Sequence, residues 1–190
     1  IEGCHPAILK RLSETNYCKQ QGYGLDEYCA SARDRIQNAC AAPNSDVHFV
    51  TGGTQANVTV ISHALRPYQG VLCAVTGHIN GHETGATEAR GHKVLPLPEK
   101  DAKISADQVE AYLRHYRRME YPEHEIEPKM VYLSQPTEQG TLYSLKELTA
   151  FRSVCDRYGL YLFIDGARLG YGLATPVNDV FLTDLARLTD

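Results

Sequence analysis

Apolar residues recur along this chain with two periods, and the switches between them outline its elements. Short β-rich runs occur at Val47–Thr51, Val71–Val75, Lys93–Leu97, Lys129–Ser134 and Leu160–Ile164; the last is apolar on both faces, which predicts a strand buried between layers. Helical spacing fills several of the gaps. Residues 30–40 gather Ala32, Ile36, Ala39 and Cys40 on one face, and residues 54–65 follow the first run directly. Two later helices open on a capping box, Ser105 with Gln108 and Ser144 with Glu147, and Gly159 is placed to end the second. The charged stretch from Arg117 to Lys129, with Pro122 and Pro128, reads as a surface loop.

Strand and helix in alternation predict an α/β fold of three layers, a mostly parallel sheet with helices on both faces. Residues 1–45 read as an N-terminal helical segment leading into an α/β domain over 46–190. The final residues, from Phe181 on, read as a helix without a stop signal, and the first residue is not methionine. Both observations lead us to expect a portion of a longer chain.

Composition narrows the function classes. At 190 residues the chain can bury one substantial core, and its formal net charge of −4 comes from interspersed charges of both signs. That balance weighs against nucleic acid or an anionic membrane as the main partner. No apolar run approaches the ~18 residues of a membrane span, and the N-terminus lacks a signal pattern. The six cysteines include no C-x-x-C pair, so reduced thiols in a soluble, cytoplasmic protein are the expectation.

In parallel sheets, ligands gather beyond the carboxyl ends of the strands, and three such ends carry candidate chemistry. The first runs Val-Thr-Gly-Gly-Thr-Gln-Ala-Asn into a helix, where backbone N–H groups of Gly53, Thr54 and Gln55 could receive a phosphate. It matches neither the dinucleotide nor the P-loop spacing. The second, Gly-His-Ile-Asn-Gly-His-Glu, sets His78 and His82 four apart beside Glu83. A zinc site is one reading, but the order differs from H-E-x-x-H, Gly81 interrupts the helix, and no third ligand lies nearby. A histidine held by hydrogen bonds, or one stacked on a ring, are the others. The third is Phe-Ile-Asp-Gly-Ala-Arg, where Asp165 ends an apolar strand and needs a cationic partner, either Arg168 or a protonated ring nitrogen.

Together, Gly22-Tyr23-Gly24, Gly52-Gly53-Thr54, Gly77-His78-Ile79 and Asp165-Gly166-Ala167-Arg168 resemble, in order and spacing, the fold-type I enzymes that use pyridoxal 5'-phosphate, and among them the threonine aldolase and β-eliminating lyase family. The resemblance implies the large domain of that fold, with the cofactor phosphate at Gly53, Thr54 and Gln55. It implies that His78 stacks on the pyridine ring as a catalytic group and that Asp165 pairs with the ring nitrogen. Arg168 would hold the carboxylate of a small amino-acid substrate, with no metal involved. Tyr23 would bind substrate, the Gly22–Gly24 region completing a neighbour's site in a homodimer or homotetramer.

The implied activity is aldol cleavage of L-threonine or a similar β-hydroxy amino acid to glycine and an aldehyde. Two departures keep β-elimination, or a non-catalytic fragment, as alternatives. Where many members have Glu-Asn-Thr-His after a strand, this chain has Ser-Gln-Pro-Thr-Glu, placing Thr137 at the histidine position. The family's Schiff-base lysine should follow the Asp-x-x-Arg motif, but none of the seven lysines lies after Lys146.

Overall fold

The computed structural model describes residues 3–190. Helices α1 (Pro6–Thr15) and α2 (Glu27–Cys40) come first and contain no buried residue. Then follow α3 (Gly53–Ala64), β1 (Gln69–Ala74), the single turn α4 (His78–Gly81) and β2 (Lys93–Leu97). The remainder is α5 (Ala106–Tyr116), β3 (Glu127–Ser134), α6 (Leu145–Tyr158), β4 (Tyr161–Asp165), α7 (Leu169–Ala174) and α8 (Leu182–Leu188). Both expected capping boxes form, and Gly159 takes the left-handed conformation (φ 71°) that ends α6.

Among the described residues the four strands are all parallel, in the order β2-β1-β3-β4. Alternation along each strand sorts side chains to two faces. Val71, Cys73, Met130 and Tyr132 pack with Ile61, Leu65 and Ile79 on the α3 and α4 side. Leu72, Val131, Leu133 and Leu162 face the other way, against Val109, Leu148, Phe151 and Leu185 of α5, α6 and α8. These are the three layers expected from the sequence. Each large apolar side chain so buried contributes about 1.5–3 kcal/mol.

Topology places the site. Chain leaving β1 turns into α4 on one face, while chain leaving its neighbour β3 turns into α6 on the other. Connections that part in this way open a crevice at the strand ends, where ligands of such sheets bind. Gly77 at the β1 exit is required sterically, because a Cβ there would lie 2.9 Å from the Ala74 carbonyl oxygen.

Three expectations need correction. Val47–Thr51 forms no strand; among the described residues it has no sheet neighbour to satisfy its backbone, and Phe49 and Val50 are 49% and 46% exposed. The Leu160–Ile164 strand begins at Tyr161 and, with β3 on one side only, leaves Phe163 and Ile164 half-buried. The last helix does stop, at Leu188. Asp190 turns onto the edge of β4, its N–H donating to Leu162 O and its carboxylate accepting from Leu162 N–H.

Candidate active site at the strand ends

Asp165, the last residue of β4, is the centre of the arrangement. Its Oδ2 accepts from the Tyr132 hydroxyl at 2.6 Å and from Asn57 Nδ2 at 3.0 Å, and its Oδ1 accepts from the Ala167 N–H at 2.9 Å. Burial alone would raise the pKa of this carboxyl, but donation from Tyr132, Asn57 and Ala167, with the nearby His78, outweighs burial and holds it below its ordinary value. Burial, reinforced by the charge of Asp165, pushes the Tyr132 hydroxyl far above the tyrosine range, so it remains a donor. A carboxylate has about four lone-pair positions, and three are filled here. One position on Oδ1 is left for a further donor.

The anticipated alternative, a structural Asp165–Arg168 pair, does not form. Arg168 caps α7 and makes no ion pair among the described residues. It lines an open cleft with Thr141, Leu142 and Tyr171, between the β3–α6 connection and α7. A free guanidinium in a cleft suits a carboxylate ligand.

His78 begins α4 after the short turn that leaves β1. Its Nδ1 lies 2.8 Å from Glu83 Oε1, and its backbone N–H donates to Glu138 Oε1 at 3.1 Å, spanning the crevice between β1 and β3. Asn57 ties the halves together, its Nδ2 donating both to Glu83 at 2.7 Å and to Asp165. His78, Glu83 and Asp165 have the spacing of a metal-binding group, with their ligand atoms within 4.8 Å of one another. Between the two carboxylates, however, stands the Asn57 amide, which already supplies the positive dipole a cation would bring. His82, the other histidine of the zinc reading, is exposed outside this group, its ring 5.5 Å from that of His78.

The third component is the start of α3. Gly52 caps it without a side chain, and the first backbone bond back to it comes from Ala56 N–H, which leaves the N–H groups of Gly53, Thr54 and Gln55 free at an exposed positive helix end. The Gln55 side chain folds back instead, accepting from Thr51 N–H and its hydroxyl, so only its backbone faces outward. Asn57 lies about one helical turn (~5.4 Å) beyond Gly53, linking this cradle to Asp165. A flat ring bearing a protonated nitrogen at one end and a phosphate ester at the other fits this donor set. Pyridoxal phosphate has that chemistry.

Tyr23 is fully exposed, with φ 64°, and touches none of these groups. Thr137 is buried, its hydroxyl bonded to Thr141 rather than turned toward His78. The next residue, Glu138, occupies the crevice instead, accepting also from the Ser134 hydroxyl at 2.6 Å. Sequence reasoning missed Asn57, Tyr132 and Glu138. Asn57 left one signal, a polar residue in the helical stripe that continues to Ile61 and Ala64. The lysines with described polar contacts lie elsewhere: Lys10 on Glu14, Lys103 on Glu147 and the Leu142 carbonyl, and Lys129 on the Gly159 carbonyl.

The profile of the family described as Beta-eliminating lyase matches residues 5–172. A low specificity L-threonine aldolase from Pseudomonas aeruginosa is 30% identical over 174 residues, 90% of this chain and 49% of its own. The solved threonine aldolase of Leishmania major is 46% identical, with a TM-score of 0.94 over 100% of this chain and 54% of its own. An archaeal alanine:glyoxylate aminotransferase, 16% identical, has a TM-score of 0.65 over 94% of this chain and 44% of its own, and shares the fold. The chain spans about half the length of the curated relatives it matches.

Proposed function

The chain belongs to the β-eliminating lyase family, and from that premise we propose that it forms the cofactor-binding part of a pyridoxal-phosphate-dependent lyase that cleaves L-threonine or a similar β-hydroxy amino acid to glycine and an aldehyde. The observation that carries this is Asp165: a strand-end carboxylate kept ionised by three donors, with one acceptor position open. When bound, pyridoxal phosphate supplies an electron sink for the carbanion left when a bond to Cα breaks.

The residues divide the remaining work. The Gly53, Thr54 and Gln55 N–H groups bind the phosphate. Asp165 accepts a proton-bearing ring nitrogen and keeps that proton in place. His78 would lie against the ring, held by Glu83 at Nδ1 and leaving Nε2 for proton transfer, and Arg168 would bind and orient the substrate carboxylate. The Schiff-base lysine is not among the lysines of this sequence. The burial of Thr137 supports β-elimination as the second reading, because no imidazole stands at that position to meet a substrate hydroxyl. A non-catalytic role is the weaker reading, since Asp165, His78 and the free Arg168 are retained together.

A homodimer or homotetramer in the cytoplasm completes the proposal. Exposed Tyr23, Leu25 and Leu12 support the assembly, and six unpaired cysteines support the compartment. Among the described residues, no helix is long and apolar enough to cross a membrane.

The test is a visible spectrum of the purified protein with pyridoxal phosphate before and after borohydride, alongside glycine release from L-threonine. A band fixed by reduction on a lysine supplied from outside this sequence, with glycine formed, supports the reading; failure of the protein to retain pyridoxal phosphate at all, with only the spectrum of free cofactor, refutes it. Asp165→Asn should then lower turnover by about 10²–10³-fold, as expected for losing an electrostatic stabiliser of developing charge. Arg168→Ala should act mainly by raising KM.

A further inference from the structure

We infer that Glu83 is a positioning residue, whose buried carboxylate locks the His78 imidazole in its Nδ1–H form and points the Nε2 lone pair to the reacting side. This rests on the proposed role of His78 at the cofactor ring. Glu83 Oε1 accepts from Asn57 Nδ2 at 2.7 Å, so it serves as an acceptor and the His78 nitrogen 2.8 Å away must be the donor. With the hydrogen on Nδ1, the neutral ring keeps its lone pair at Nε2.

Burial fits the same division. The Glu83 side chain is 0% exposed and that of His78 35%, so the ring is clamped at its inner edge and open at the outer one. The second hydrogen of the Asn57 amide donates to Asp165 Oδ2. One amide therefore sets the ring and the strand-end carboxylate in register. Donation from the His78 backbone N–H to Glu138 anchors the main chain of the residue. Glu83 Oε2 has no hydrogen-bond partner among the described residues. A carboxylate left half satisfied in the interior costs stability, and its presence is accounted for if its other oxygen orders the histidine.

The experiment is nitrogen NMR of histidine-labelled protein without cofactor, at a pH where the ring is neutral, with the His78 signal assigned from His78→Gln. Native protein and Glu83→Gln should show the Nδ1–H form, because an amide oxygen still accepts. Glu83→Leu, which fills the space with no acceptor, should shift the ring toward Nε2–H. In the cofactor-loaded protein, Glu83→Leu should lose about 10²-fold in kcat with KM little changed, and Glu83→Gln should retain most of it. Nε2–H in the native protein, or Nδ1–H persisting in Glu83→Leu, overturns the assignment. If no amino acid is cleaved but the tautomer still follows Glu83, the positioning role stands and the proposed reaction falls.

Discussion

Helices α2 and α6 are each 14 residues long, each is started by a side-chain cap, Asp26 on Cys29 N–H and Ser144 on Glu147 N–H, and each ends in a left-handed residue. Yet α6 buries Leu148, Phe151, Val154 and Cys155, whereas α2 buries nothing and leaves Ile36 41% exposed. Local signals form both helices equally well. What separates them is topology: α6 connects adjacent parallel strands and must lie across the sheet, while α2 precedes the sheet and touches α8 at its margin. The cysteines show the same division. Burial pushes the thiols of Cys73 and Cys155 up to about 12, so these two are unreactive, while Cys4 and Cys18 stand exposed.

Substitutions can break this contrast or sharpen it. The largest effect is expected from Phe151→Ala, which empties a fully buried site and should cost about 3–5 kcal/mol in denaturant unfolding. Ile36→Ala should stay within about 0.5 kcal/mol. Equal losses would mean that α2 carries a core of its own.

Acid should give the next effect. The folded pKa of Asp165 lies below its unfolded value, so its contribution is complete above the ordinary carboxylate range and is lost as pH falls through the folded value. Asp26 has the same sign, lowered by its bonds to Cys29. In a pH series of thermal melts, replacing Asp165 with Asn should flatten the acid limb of the global transition. The Asp26→Asn variant should change only hydrogen exchange within α2.

The smallest effect tests the caps. Ser144→Ala should lower global stability by about 1 kcal/mol, because α6 unfolds with the body. Removing the Asp26 cap should fray the first turn of α2 and leave the global midpoint in place, a difference that amide exchange reads residue by residue.

Much of this was legible in advance, for identifiable reasons. Capping boxes at Ser105 and Ser144 and the stop at Gly159 depend on neighbours within four residues, so they read directly from the chain. The strand cores of β1 to β3 were marked by unbroken apolar runs. Val47–Thr51 failed because β-rich composition states a preference, and only a neighbouring strand can satisfy the backbone. In the site, His78, Asp165 and the helix start at Gly53 stood out because glycines frame them or charge interrupts an apolar run. Asn57, Tyr132 and Glu138 did not, since nothing in their own segments requires a polar contact there.

By itself, then, the sequence determined the elements, the parallel α/β class and the residue types at three strand ends, because periodicity, capping and turn chemistry act over a few residues. Only the tertiary structure decided that these ends converge. It brought Asn57 to Asp165 across 108 positions and His78 to Glu138 across 60, and it turned Thr137 inward. The physical reason is that strand order and the crevice where connections part are properties of the assembled sheet. Hydrogen bonds that satisfy a buried charge come from whichever segments the sheet brings beside it.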